Sequence, residues 1–144
     1  MTGFIHTLDI RIYYEDTDHG GVVYYANYLK FMERARTELL RTGGFEQDRI
    51  EDEYDIMFAV TEAHLRYLKP ARFNDLIRIE TRIAKVRGAR ILFHQQALHL
   101  PDERLLVDAQ IHVASITRAG KVRRLPEELR AFFQKHADIS KEAT

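Results

Sequence analysis

The second half of the chain contains four strand-like stretches, and the turns between them are too short to hold a helix. These stretches are residues 56–67, 76–86, 90–100 and 105–117. In the second one, Ile77, Ile79 and Ile83 alternate with charged side chains, which is typical of a strand with one solvated face. Parallel neighbours need crossover connections of a dozen or more residues, so the short breaks predict an antiparallel sheet.

One helical stretch precedes these strands and decides the architecture. From Val23 onward, apolar residues recur at helical spacing until Gly43 and Gly44 supply a stop signal. Residues 5–14 read as an amphipathic strand, and residues 126–136 read as a terminal helix. A single long helix is buried only if the sheet curls around it. The fold class is therefore predicted to be α+β, with a five-stranded antiparallel sheet wrapped around one central helix, plus a C-terminal helix.

Length and composition suit a single domain. We expect it to span residues 1–137 of the 144, with a flexible tail at 138–144. The 22 basic and 22 acidic residues leave no net field for nucleic acid or anionic lipid, and the absence of cysteine excludes disulfides and thiolate chemistry. No long uncharged run occurs, and residues 1–14 lack the apolar core of a signal peptide, so we expect a cytoplasmic protein without membrane insertion.

An acidic, glycine-bearing loop lies between the first strand and the helix, and it includes Asp18, Gly20 and Gly21. The first N–H groups of a helix lack intrahelical acceptors and carry the positive end of the dipole, so they can hold a developing oxyanion. A carboxylate beside such groups is the outline of an acyl-transfer site. The leading hypothesis is thioester hydrolysis, with Asp18 as general base or nucleophile.

The other parts of this site are predicted from the same loop. Backbone N–H groups from Val23 through Tyr24 to Tyr25 would polarise the carbonyl, and the two glycines would let substrate approach the main chain. A simpler alternative is that Asp18 only caps the helix or forms an Asx-turn, with the glycines serving a tight turn.

Other residue types give weaker candidates. Asp16 reads as loop structure, and Glu33 on the helix is a fallback carboxylate that more often forms an ion pair with a neighbouring base. No His-x-x-x-His or His-Glu-x-x-His pair occurs, so no metal site is predicted. The serines, Ser115 and Ser140, do not lie in Gly-x-Ser-x-Gly, which argues against a serine hydrolase.

The stretch YYEDTDHGGVVYYANYLKFMERARTE, residues 13–38, closely resembles the hotdog-fold acyl-CoA thioesterases of the 4-hydroxybenzoyl-CoA thioesterase type, in particular their Tol-Pal-associated branch. The likeness continues through residues 67–75 and 85–90. The resemblance implies hydrolysis of acyl-CoA to a free acid and CoA, with Asp18 as the catalytic carboxylate. Coenzyme A is then part of the substrate, and no cofactor is expected. Many members of the branch have a histidine where this chain has Tyr25, a change that leaves the aspartate mechanism intact.

The family also implies dimers that associate into tetramers, with active sites at the dimer interface. Long apolar edge strands independently favour a homo-oligomer with a continuous sheet. Lys85, Arg87 and Arg90 bracket a turn and resemble the family's nucleotide-contacting region, although solvated hairpin charges would look the same. Lys69 and Arg72 form a second basic candidate.

Two rival functions share the scaffold. A hotdog hydratase would carry a His-Phe-Pro signature, which this chain lacks. A module that recognises acyl carrier protein or a cell-envelope partner without turnover is also possible, because fold does not fix function.

Overall fold

The computed structural model describes residues 4–137, so the tail expected at 138–144 lies outside the described residues. The strands are β1 His6–Arg11, β2 Met57–Tyr67, β3 Leu76–Arg87, β4 Arg90–Leu100 and β5 Arg104–Ile116. The helices are α1 Asn27–Thr42, α2 Gln47–Tyr54 and α3 Glu127–His136, and one 3₁₀ turn occupies Tyr14–Asp16.

The five strands form one sheet in the order β1-β3-β4-β5-β2, and every neighbouring pair is antiparallel. This arrangement confirms the predicted sheet. β1 and β2 are its edges, and a bulge near Thr61 interrupts the pairing of β2 with β5. Because β1 pairs Arg11 with Leu76, the chain leaves β1 at the end of the sheet where β3 begins.

The concave face of the sheet packs on α1, which is the central helix of the predicted hotdog fold. Ile77, Ile79 and Ile83 of β3 are fully buried, as are Phe31 and Met32 of α1, and they join a single hydrophobic cluster. Burying such side chains contributes about 1.5–3 kcal/mol each. The alternate β3 residues are only partly covered, so the period-two pattern read from the sequence matches the two faces of the sheet.

The helix begins four residues later than its apolar spacing predicts. Residues 23–26 form a bridge and a turn, and the regular helix begins at Asn27 and ends at Thr42, just before Gly43. Val23 makes an isolated antiparallel bridge with Thr17, and its amide donates to the carbonyl of Ala71 at 2.8 Å. β-type pairing with a distant segment therefore replaces the first turn expected from local periodicity.

None of the helices within residues 4–137 has the length and apolar character needed to cross a bilayer.

Candidate active site

Asp18 lies in a short hairpin-like loop that precedes α1. Its amide donates to the carbonyl of Val22 at 2.8 Å, and the amide of Gly21 donates to the Asp18 carbonyl at 3.0 Å. The side-chain Oδ1 accepts hydrogen bonds from the amides of Gly20 at 2.9 Å and Val22 at 3.3 Å. The Asx-turn considered from the sequence is therefore present.

This turn uses only one of the two carboxylate oxygens. Within residues 4–137, Oδ2 of Asp18 accepts no hydrogen bond, and the residue is exposed to solvent. Gly21 has a positive φ of 82°, as the turn requires, and a Cβ on Gly20 would lie 3.3 Å from Oδ1 of Asp18. The loop thus orients the carboxylate through Oδ1 and leaves Oδ2 available to take a proton or to attack a carbon.

Asp16 holds this loop against the start of the helix. Its Oδ1 accepts from Nδ2 of Asn27 at 2.7 Å, and its Oδ2 accepts from the amide of Tyr13 at 2.8 Å. The Asp16 carbonyl also accepts from the amide of Tyr24 at 3.1 Å. Asn27, which is buried, was missed in the sequence; the available signal was the preference of asparagine for helix starts.

The structure narrows the set of amides that can hold an oxyanion. The amides of Val23 and Tyr24 donate to the carbonyls of Ala71 and Asp16, so neither is a free donor, contrary to what the sequence suggested. The amide of Tyr25 remains, and sequence reasoning missed a second one on Ala26. Neither of these two donates to a backbone or side-chain acceptor within the described part of the chain.

The turn at the start of α1 explains why these two amides stay free. The amides of Asn27, Tyr28 and Leu29 donate to carbonyls three residues earlier, at 2.9, 3.3 and 3.1 Å. The N-cap residue, Ala26, has no side chain that could accept a hydrogen bond, and none of the side chains between residues 4 and 137 caps the helix. Two amides without an acceptor among the described residues therefore lie at the positive end of the helix, where such donors can stabilise a developing negative charge.

Aromatic rings surround this helix start. The ring centroids of Tyr25 and Tyr67 lie 4.7 Å apart, those of Tyr28 and Tyr67 lie 5.8 Å apart, and the Tyr67 hydroxyl donates to the Tyr25 carbonyl at 3.3 Å. Burial raises the pKa of Tyr28 to about 12, although a hydrogen bond with the Ala71 backbone acts to lower this pKa. The Tyr28 phenol therefore stays neutral at physiological pH, where it packs the turn.

The three basic residues predicted to bind the nucleotide lie together. Lys85, Arg87 and Arg90 line one cavity of about 290 Å³ at the end of the β3-β4 hairpin, and Glu62 and His112 line it too. All three basic side chains are exposed. The cluster offers several donors to phosphate oxygens, which arginine can bind in bidentate fashion.

This basic cavity and Asp18 lie at opposite ends of the sheet. The Asp18 loop adjoins the first residue of β3, because the amide of Asn74 donates to the carbonyl of Ile12 and Arg11 pairs with Leu76. Arg87 is the last residue of β3, roughly 36 Å away along the strand at about 3.3 Å per residue. One chain therefore does not bring its own carboxylate and its own basic cluster to one substrate.

The remaining candidates have simpler roles. Glu33 accepts a 2.8 Å hydrogen bond from the hydroxyl of Thr37 and forms no ion pair with a described residue. Arg72 bridges to Val22 through its backbone and is exposed beside the loop. Lys69 is exposed, and its amide donates to the Leu106 carbonyl.

Comparison with known proteins identifies the family. A model of the thioesterase-like superfamily matches residues 13–133. The chain is 42% identical over 126 residues to the acyl-CoA thioesterase YbgC of Haemophilus influenzae, covering 86% of this chain and 90% of that protein. It is 40% identical over 126 residues to the acyl-CoA thioester hydrolase YbgC of Escherichia coli, covering 87% and 92%. The chain therefore belongs to the thioesterase-like superfamily.

A solved structure agrees with this assignment. The crystal structure of a probable thioesterase from Bartonella henselae superposes with a TM-score of 0.81 at 39% identity, covering 85% of this chain and all of that one, 100%. The resemblance to hotdog acyl-CoA thioesterases and the hotdog architecture predicted from the sequence are both confirmed, and the Tol-Pal-associated branch stays a prediction.

Proposed function

We propose that this protein hydrolyses acyl-CoA thioesters to a free carboxylic acid and CoA. The observation that carries the proposal is a carboxylate, that of Asp18, fixed through one oxygen in the loop that leads to a helix start with two unoccupied amides, those of Tyr25 and Ala26. Similar proteins that are named acyl-CoA thioesterases support the same substrate class.

The chemistry follows from these groups. The thioester carbonyl oxygen accepts hydrogen bonds from the amides of Tyr25 and Ala26, which stabilise the negative charge that develops on it. Asp18 then acts in one of two ways. It takes a proton from a water that attacks the carbonyl carbon, or it attacks that carbon itself, expels the CoA thiolate and forms a mixed anhydride that water opens.

We further propose that two copies of the chain share each site. The 11-residue strand β2 is a sheet edge, and all five residues from Val60 to His64 are exposed, as is expected of an edge that pairs with another chain. A second copy added antiparallel to β2 by a twofold axis would be turned end for end. Its basic cluster would then lie at the same end of the joint sheet as the Asp18 loop of the first copy.

The test of the proposed function is the substitution Asp18→Asn. The new amide oxygen still accepts from the amides of Gly20 and Val22, so the loop is retained, while the base and nucleophile are lost. We expect kcat for thiol release from acyl-CoA to fall at least ~10²-fold. Glu15→Gln, an equivalent neutralisation in the same loop, is the matched control and should leave kcat unchanged.

The same assay separates the rivals. If the protein binds saturably but releases CoA thiol from no acyl-CoA of any chain length, hydrolysis is replaced by a binding role toward acyl carrier protein or another partner. Formation of an enoyl product without thiol release would indicate a hydratase. Equal kcat in Asp18→Asn and wild type would remove Asp18 from the mechanism. The cytoplasmic location stays a prediction from the sequence.

A further inference from the structure

A second cavity lies between α1 and the concave face of the sheet, toward the C-terminal end of the helix. It measures about 140 Å³, and Phe58, Phe93, Phe133 and Val113 supply apolar wall. An apolar cavity of roughly this size, about 150 Å³, accommodates a benzene ring. The space therefore fits an apolar body of about six carbons.

Polar side chains also line part of this cavity, and Arg36 is the cation among them. The guanidinium of Arg36 reaches the cavity, and its carbon Cζ lies 6.0 Å from the centroid of the Phe93 ring. Burial lowers the pKa of Arg36 to about 10, although the negative charge of Glu33 acts in the opposite direction. The guanidinium remains charged at neutral pH and is largely removed from water.

The partners of Arg36 are incomplete. Its Nη1 donates to Oε1 of Gln95 at 2.9 Å, and this is its one hydrogen bond within residues 4–137. Gln95, which is fully buried, is itself fixed by donating to the Met32 carbonyl at 3.0 Å and to the Thr81 hydroxyl at 2.9 Å. A guanidinium has five N–H donors, so four donors of Arg36 have no acceptor within residues 4–137. No carboxylate of the described chain forms an ion pair with Arg36.

Leaving most donors of a partly buried guanidinium unpaired is costly, and their natural complement is a carboxylate held by charge-assisted hydrogen bonds. Glu33 also lines the cavity and its negative charge acts on Arg36, but the two side chains of the described chain form no ion pair, and Glu33 accepts a hydrogen bond from Thr37. We propose that this cavity, the Arg36 cavity, binds a carboxylate carried by a ring-sized or six-carbon apolar body.

Two sources of such a carboxylate exist. One is the far end of an acyl group, and this source rests on the proposed function. The cavity lies beside Val60 on the β2 edge, where a second copy would bring its catalytic loop. The other is a free carboxylic acid. The chemistry at Arg36 is the same for both.

The binding test uses the full chain carrying Asp18→Asn, so that hydrolysis plays no part. Hexanoate and hexan-1-ol, its uncharged counterpart, are titrated while NMR follows the resonances of the residues that line the cavity. We expect both to shift these resonances, with hexanoate bound about 10-fold more tightly or better, the usual gain of a charged hydrogen bond. Equal affinities, or shifts located elsewhere, would overturn the proposal.

Two variants assign the effect to the guanidinium. Arg36→Met should abolish the preference for hexanoate, whereas Arg34→Met, the same change at an exposed position of α1, should retain it. A preference that survives Arg36→Met would contradict the role of Arg36. If Arg36→Met does not fold, Arg36→Gln, which also removes the charge but keeps a polar group beside Gln95, should likewise abolish the preference for hexanoate.

Kinetics then separate the two sources. If the acyl group carries the carboxylate, Arg36→Met lowers the ratio of kcat/KM for adipoyl-CoA to kcat/KM for hexanoyl-CoA about 10-fold. If a free acid is the ligand, Arg36→Met instead relieves inhibition by hexanoate and leaves the ratio of the two substrates unchanged. If the protein binds hexanoate but hydrolyses no thioester, the proposal for the Arg36 cavity stands and the proposed function is wrong.

Discussion

Asn27 and Asp16 join the start of the central helix to the acidic loop through a 2.7 Å hydrogen bond between the side-chain amide and the carboxylate. Asn27 is buried and Asp16 is partly covered, so the bond is shielded from water. Through it, the position of Asp18 relative to the amides of Tyr25 and Ala26 depends on a residue that takes no part in the chemistry.

Asn27→Leu should uncouple the loop from the helix. Because a hydrogen bond to a charged group is lost, we expect the free energy of unfolding to fall by about 1.5–3 kcal/mol, as measured in urea. We also expect kcat to fall, because Asp18 and the helix amides are no longer held in one geometry. Gln134 is exposed on α3, and its side chain forms no hydrogen bond within residues 4–137. Gln134→Leu should therefore change neither the free energy of unfolding nor kcat. Unchanged kcat in Asn27→Leu would show that the loop is positioned by other contacts.

Gly21→Ala should impair activity through the backbone. Gly21 has φ of 82° with open space around the missing Cβ, and Gly44, after α1, has φ of 85° in equally open space. Alanine is disfavoured in this region by about 1–2 kcal/mol, so both substitutions should lower stability by similar amounts. Only Gly21→Ala should also reduce thiol release, because it distorts the turn that holds Asp18. If Gly21→Ala and Gly44→Ala release thiol at the same rate, catalysis does not depend on the loop conformation at Gly21.

Arg87→Glu should weaken recognition of the nucleotide. If the cavity shared with Lys85 and Arg90 binds the phosphates, reversing one charge in it removes charge-assisted bonds, and we expect KM for an acyl-CoA to rise about 10-fold or more. Activity toward the matching N-acetylcysteamine thioester, which has no nucleotide, should stay constant. Arg124→Glu, at an exposed loop position, is the control. A rise in KM for both thioesters would indicate general damage rather than a phosphate contact.

Val60→Lys should prevent assembly through β2. Val60 is 51% exposed on this edge, and Val122, in the loop before α3, is 59% exposed. A lysine at an edge opposes strand pairing, so light scattering should report the mass of one chain for Val60→Lys and an unchanged mass for Val122→Lys. Thiol release should be lost together with the oligomer. A monomeric variant with full activity would rule out a shared site.

Arg78→Gln should alter how Asp9 titrates. A hydrogen bond from Arg78, with its positive charge, holds the pKa of Asp9 below its ordinary value of 3.8, and the two contacts measure 2.7 and 3.1 Å. A lowered pKa in the folded state stabilises the protein above that ordinary value, and the contribution is lost as pH falls through the folded pKa.

NMR titration should therefore show a higher pKa for Asp9 in Arg78→Gln. The stability difference between wild type and Arg78→Gln should shrink below pH 3.8. Arg82→Gln, on the same face of the sheet, should leave Asp9 unaffected. Because both side chains are partly exposed, the stability effect should be small and should decrease with salt.

The sequence was most informative where a pattern is local. The alternation in β3 and the glycines after α1 predict element type and boundaries closely, because side-chain burial follows the strand or helix period directly. The start of α1 was misjudged because Val23 and Tyr24 fit a helical period while their amides are taken by Ala71 and Asp16. Ala71 lies far along the chain, so no local pattern reveals that bond.

The candidate site shows the same difference between local features and features that depend on tertiary contacts. Asp18 and its glycines are recognisable because they are consecutive in the sequence. Which amides stay free depends on tertiary pairing. Helical spacing places Arg36 four residues after Met32 and four before Leu40, on the buried side of α1, and this signal was missed. The contacts of Arg36 with Phe93 and Gln95 join α1 to β4, far along the chain, so the local period does not reveal them.

The placement of the Asp18 loop and the Lys85 to Arg90 hairpin at opposite ends of β3 has a genetic consequence. If each site draws on two chains, a copy damaged in the loop and a copy damaged in the hairpin can restore one working centre when they pair. Alleles that are inactive alone would then complement each other in the same cell.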